Sequence, residues 1–420
     1  KSIMGGDGMQ VAVDLRDNNI VYTGYQYGNY FRINQKSGRR KYITPKHELG
    51  ERPLRWNWQS PIHLSTHNQD ILYIGSNKLF RSMNQGNDFK VISSDLTKGG
   101  KKGDVAYGTL TAIHESPLRF GLIYTGSDDG LVHLTKNGGN SWEEIKGLPK
   151  DLWITRIQTS KFDEATVYVS MNGYRWDNFE SHIYQSIDYG KSWSRLGLDL
   201  PKEPVNVIKE DPKNKDIIYV GTDHGLYVSL DQGENFMMMN KDLPAVSVHD
   251  VVVHPKANDL VVATHGRSFY KTNVEHLQKL DKELLAKTLH IFNIKKKSYS
   301  NRWGSKFSQW RDANEPKISI PFFTKSKGRA NIVIKNKDEE ILQSFSHEAN
   351  QGINYVKYNL AIEDSKNDSY EKFLNKDKKT KPIKLKKTDT KKTYLRPGVY
   401  TLEITKDKKT EKTEFEIYEK

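Results

Sequence analysis

The chain has 420 residues, no cysteine and a formal charge of +14. At roughly 100–200 residues per domain, this length holds two or three domains. The missing cysteines exclude a disulfide scaffold, thiolate-held zinc and thiol catalysis, and no apolar run approaches the ~18–20 residues of a membrane-spanning helix.

In chain order, the first motif is Gly5-Gly6-Asp7-Gly8, and it reads as the middle of a repeat. A Tyr-x-Gly strand end follows at Tyr22–Gly24, Tyr73–Gly75, Tyr124–Gly126 and Tyr219–Gly221. Tyr168–Ser170 and Val262–Thr264 are variants, and the five spacings run 51, 51, 44, 51 and 43 residues. Each strand end is preceded by a short apolar strand and a turn, several of them Pro followed by Asn or Asp, which is good turn chemistry. Downstream lies a second signature, Ser-x-Asp-x-Gly-x-x-Trp, complete at Ser186–Trp193. Ser229–Phe236 substitutes Phe for Trp, while Ser82–Phe89 and Thr135–Trp142 substitute Asn for Asp. This is the Asp-box hairpin turn. Asn84, Asn137, Asp188 and Asp231 are expected to accept backbone hydrogen bonds, glycine to take positive φ, and Trp193 and Phe236 to pack beneath the hairpin. Four copies in phase with a period of about 45 residues predict four-stranded propeller blades.

Residues 1–272 therefore read as about six blades of an all-β Asp-box propeller. The first repeat lacks a clear Asp-box and the chain opens mid-pattern, so the ring is expected to be completed by N-terminal sequence. Asn273 is a candidate N-cap, and Val274, Leu277, Leu280, Leu284 and Leu285 fall on one helical face. One linker helix within 273–290 is expected, about 274–287, packing against the propeller. Residues 291–420 then show six short alternating strands, which suggest a small immunoglobulin-type β-sandwich. The charge is concentrated here: residues 277–420 hold 33 Lys and Arg against 20 Asp and Glu. Residues 364–393 alone carry eleven lysines and five acids, and read as a solvated or disordered insertion. With few aromatics and no interleaved arginine there, no nucleic-acid partner is expected.

The motifs Gly5–Gly8, Arg55–Pro61, Leu79–Ser82, Glu203–Ile208, Gly225–Ser229 and Thr264–Arg267 resemble the large bacterial sortilin-like Asp-box (BNR-repeat) propeller proteins, common in Bacteroidota and often labelled predicted glycosyl hydrolases. Pro397–Leu402 looks like the last strands of the immunoglobulin-like module that often closes them. The resemblance implies export to the periplasm, outer membrane or cell surface. It implies fold more firmly than activity.

In a propeller the loops between blades and the hairpins between second and third strands share one face. Here that face carries Arg55, Trp56 and Trp58 on one loop, and Tyr174, Arg175 and Trp176 on the longest hairpin. His224, His265 and Arg267 lie on neighbouring hairpins. Tyr, Trp and Arg anchor interfaces, so these nine residues are the binding candidates, with a protein or peptide as partner and a glycan as a further option. The competing reading is that the tryptophans merely pin long loops by burial. Glycoside hydrolysis needs two carboxylates across the bond. Asp128 and Asp177 are the weak candidates among the loop-face aspartates, which also include Asp7, Asp129, Asp223 and Asp250. Metal spacing is absent: His249 and His254 are five apart on a strand and face opposite ways. No cofactor is expected. The leading reading is a non-catalytic binding or scaffold propeller of the bacterial cell envelope, within a larger assembly. The alternative is a polysaccharide-active hydrolase.

Overall fold

A computed structural model describes residues 2–102, 106–376 and 381–419. The chain divides into two compact units, Lys1–Val274 and Glu275–Lys420. The first is a β-propeller array of six antiparallel sheets, each a meander in sequence order. Their innermost strands are Ala12–Val13, Ile62–Leu64, Leu110–Glu115, Trp153–Thr159, Val205–Glu210 and Val248–Val253. The first five blades have four strands. The sixth has three, ending at Phe269–Asn273. The fourth strands of the first five blades are only two or three residues long, as at Lys90–Val91 and Ser194–Arg195. Large apolar side chains remain exposed on the two end blades, Leu15 at 80% and Phe269 at 75%.

The repeated tyrosines explain the phase. Tyr22, Tyr73, Tyr124, Tyr168 and Tyr219 lie on the second strands and are all buried. The four Ser/Thr-x-Asp/Asn turns share one hydrogen-bond network. In the fourth blade the Ser186 hydroxyl donates to Asp188 at 2.7 Å and accepts from the Gly190 amide at 2.7 Å. The Asp188 carboxylate accepts from the Ser192 amide at 2.9 Å, and its pKa is held down to about 2, chiefly by the Ser192 hydroxyl. Asn84, Asn137 and Asp231 make the equivalent contacts.

These turns also latch each blade to the one before. A Cβ added to Gly86, Gly139, Gly190 or Gly233 would meet Ile43, Ile92, Ile145 or Leu196, each just after or at the end of the preceding blade's last strand. Trp193 and Phe236 pack beside the same preceding-blade cores. Gly190 has φ +88 and its missing Cβ lies 3.1 Å from Ile145. Gly190→Val is therefore expected to lower stability by about 2–4 kcal/mol, combining left-handed strain with overpacking. Gly38 has φ +74 and open space around it, so Gly38→Ala should cost only about 1–2 kcal/mol. Urea midpoints check the contrast.

The second unit is a β-sandwich. A three-stranded sheet (Leu289–Ile291, Ile318–Thr324, Gly352–Tyr358) shares one core with a five-stranded sheet that runs from Lys297–Ser298 through Lys409–Tyr418, Gly398–Lys406 and Gly328–Lys335 to Ile341–Ala349. The Tyr400 hydroxyl donates back to the Arg396 carbonyl at 2.6 Å, a tyrosine-corner arrangement at the start of its strand.

Two expectations are corrected here. The linker helix is instead a 3₁₀ turn, Leu277–Lys279, and one short α-helix, Lys282–Ala286. Leu280 is extended between them, and Asp281 caps the restart by accepting from the Leu284 amide at 2.7 Å. Asn273 ends the last blade strand rather than capping a helix. The lysine-rich stretch is not a featureless excursion: Asn367–Asn375 is a helix, with Tyr370 fully buried and Phe373 and Leu374 packed on the sandwich core. Their i, i+3, i+4 spacing makes an apolar face that the surrounding charge conceals. The part of that stretch at 377–380 lies outside the described residues.

Candidate functional site

Hydrogen bonds between the interblade loops and the hairpin turns interlock them on one face of the array. The loop before the second blade is the best secured. The Arg55 guanidinium donates to Asp95 at 2.6 Å, to Thr97 at 2.9 Å and to the Gly108 carbonyl at 2.9 Å. The Trp56 ring packs against Gly28, where any Cβ would fall 2.3 Å from the ring. Gly28 has φ +73, so both the backbone and the space require glycine. Asn57 is buried and donates to Thr109 at 2.8 Å. Arg55 and Trp56 are thus occupied within the fold. Trp58 is 47% exposed and meets Tyr27 edge-on at 5.2 Å.

Asp128 is buried at the foot of this loop system, 1% exposed. It accepts from the Gly108 and Thr109 amides at 2.9 Å each and from the Thr109 hydroxyl at 2.5 Å. Burial raises its carboxyl above the ordinary range, against the pull of those Thr109 bonds. Asp129, also buried, accepts from the Ser127 hydroxyl and the Lys98 amide. Asp223 accepts from Asn206 and Ser247, Asp250 pairs with Arg156 at 3.0 Å, and Asp7 accepts from Gln26. Asp177 is exposed at the end of a 3₁₀ turn with φ 56. The loop-face acid with a raised pKa is therefore sealed from solvent. Asp128→Ala would strand these three donors and is expected to lower stability by about 3 kcal/mol. Thermal unfolding of the variant measures it.

The fourth blade carries a cluster of exposed aromatic side chains on the face. Its second and third strands, Val167–Gly173 and Asn178–Ser186, extend past their neighbours and close through a single 3₁₀ turn, Tyr174–Trp176. Asn178 pins the base, accepting from the Glu180 amide at 3.1 Å and meeting His182 Nε2 at 3.1 Å. The Arg175 guanidinium lies over the Trp153 ring at 4.2 Å and the Tyr174 ring at 4.8 Å. Tyr174, Trp176 and Phe179 are 44%, 43% and 52% exposed. Among the described residues no carboxylate pairs with Arg175.

The remaining candidates stand apart from this stack. His224 Nδ1 lies 3.4 Å from Glu203, His265 meets His249 with ring centroids 5.1 Å apart, and Arg267 is exposed. Tyr27 and Asn57 were not singled out by sequence. Tyr27 sits in the three-residue turn 26–28, and its positive φ of 59 gives no sequence signal. Among the described residues no group of His, Asp and Glu is placed to hold a metal ion, and no helix is long and apolar enough to cross a membrane.

No protein-family model matches the chain, and no curated protein matches it. Among solved structures, it is similar to a GH74 xyloglucanase from Xanthomonas campestris, with TM-score 0.49 and 16% identity over 63% of this chain and 45% of that one. A GH74 enzyme from Niastella koreensis gives TM-score 0.47 and 13% identity over 96% and 64%. An extracellular domain from B. thetaiotaomicron, described as part of a hybrid two-component system, gives 0.46 and 11% over 97% and 49%. The chain spans less than two thirds of the length of each, and at such identities their chemistry does not carry over.

Proposed function

We propose that this protein is a non-catalytic binding propeller of the bacterial cell envelope, which holds an extended peptide or protein segment on its loop face. The observation that carries this reading is the stack of Arg175 on Trp153 and Tyr174, with Trp176 and Phe179 exposed beside it. Such rings present large, rigid contact area, and an unpaired guanidinium supplies donors for a partner's carboxylates and carbonyls. Trp58 on Tyr27 gives a second exposed aromatic contact on the same face. The aspartates of the face support the non-catalytic half of the reading. Hydrolysis needs an accessible acid and base, whereas Asp128 and Asp129 are buried and Asp223 and Asp250 are engaged. The four repeated turns support membership of the sortilin-like Asp-box propellers, and with it an extracytoplasmic location.

Selection of a displayed random-peptide library on the full chain tests the reading, with a soluble polysaccharide panel assayed alongside for retention and cleavage. Enriched peptides that compete with one another support it. Cleavage of any polysaccharide, abolished by Asp177→Asn, would replace it with the hydrolase reading.

A further inference from the structure

The innermost strands of blades two to five leave the array through equivalent turns, in which the amides of Ser65, Ser116, Ser160 and Asp211 bond the carbonyls of Ile71, Leu122, Thr166 and Ile217. Two positions before those residues stand His63, His114, Gln158 and Lys209. A period-two strand sends all four to the same side, and the contacts bear this out. The His63 and His114 rings lie 5.1 Å apart, and Lys209 Nζ donates to Gln158 Oε1 at 2.9 Å. The Lys209 charge, together with burial, holds the His63 imidazole down to about 4, burial being the larger cause. The four side chains therefore converge toward the centre of the array, half-buried or buried.

Their hydrogen-bond chemistry is one-sided. His114 Nδ1 meets the Thr159 hydroxyl at 2.8 Å and the Thr159 amide at 3.3 Å, so that nitrogen is occupied and Nε2 is the one left over. The Glu115 amide reaches His63 Nε2 at 3.4 Å, so its ring proton belongs on Nδ1. Among the described residues neither His63 Nδ1 nor His114 Nε2 has a hydrogen-bond partner, and Lys209 gives one of its three donors, to Gln158. The adjacent carboxylates do not neutralise the cluster by contact. Glu115 is held by Ser65, Tyr73 and Gly121, Glu210 by Ser160 and the Lys161 amide, and Asp250 by Arg156. The unpaired Lys209 ammonium beside two unpartnered ring nitrogens would repel a cation and attract an anion.

We propose that His63, His114 and Lys209 form a binding site for a phosphate- or sulfate-type oxyanion. The unprotonated oxygens of such an oxyanion accept several N–H donors at once. The source is either the free ion or the ester of a sugar.

Titration of the full chain with inorganic phosphate, glucose 6-phosphate and chloride at matched ionic strength tests the site. The readout is the ¹⁵N-histidine NMR spectrum of the unmutated protein, together with calorimetry. Saturable shifts confined to His63 and His114 are expected with phosphate and not with chloride. Lys209→Met should weaken phosphate binding at least about tenfold, while Trp176→Ala leaves it unchanged. Equal affinity for both phosphates assigns the free ion, and tighter glucose 6-phosphate binding assigns the ester. Shifts no different from those of chloride, or unchanged affinity in folded Lys209→Met, would overturn the proposal.

Discussion

Replacing Glu115 by alanine is expected to lower the unfolding free energy of the propeller unit by about 3–5 kcal/mol, among the largest effects of any single change. Glu115 is 1% exposed on the innermost strand of the third blade. Its carboxylate accepts from the Ser65 hydroxyl at 2.5 Å, the Tyr73 hydroxyl at 2.8 Å and the Gly121 amide at 3.1 Å. Two of these donors belong to the second blade, so one side chain joins two sheets. Removing it leaves three buried donors without acceptors, each costing about 1–3 kcal/mol, and a cavity that cannot readily collapse. Glu115→Gln keeps the volume and one acceptor oxygen, and should recover about half of the loss. The check is the urea midpoint at unchanged slope. A loss below about 1 kcal/mol for the alanine variant would mean that water reaches all three donors.

The second large effect is on binding. Trp176→Ala in a background of Tyr174→Ala is expected to weaken a selected peptide at least about 30-fold, since truncated aromatic anchors cost about 2 kcal/mol or more. These rings are half-exposed and hold no core together, so the unfolding midpoint should hardly move. Arg55→Ala should behave in the opposite way. Its guanidinium ties the loop to Asp95, Thr97 and the Gly108 carbonyl, so stability should fall while peptide affinity is preserved in the folded fraction. Comparing the two variants by calorimetry and urea denaturation separates an anchor from a pin. Equal losses of affinity in both would contradict the assignment.

The blade phase was legible because one physical event recurs. The tyrosine is buried, and at Gly126 and Gly221 the next blade's inner strand comes so close that a Cβ would fall 2.4 Å from Ile154 and 2.7 Å from Val248. Aromatic and glycine are both forced, so both repeat. The turns were legible for the same reason. The linker helix was not: its apolar period runs through Leu280, whose extended backbone breaks the helix where periodicity alone cannot register it. The helix Asn367–Asn375 was hidden by counting lysines, since three apolar residues on one face suffice to dock it. At the site, residue type located the aromatic hairpin but could not separate exposed Trp58 and Trp176 from Trp56, which rests on Gly28. Asp128 looked like any turn aspartate, and its role as a loop clamp depends on amides twenty residues away.

The most direct test is amide hydrogen exchange of the full chain with and without a selected peptide. Binding at the loop face predicts slowed exchange in residues 24–29, 56–59 and 174–180, with the turns at 65–70, 116–121 and 211–216 on the opposite rim unchanged. Protection confined to those opposite turns, or none at 174–180, would contradict it.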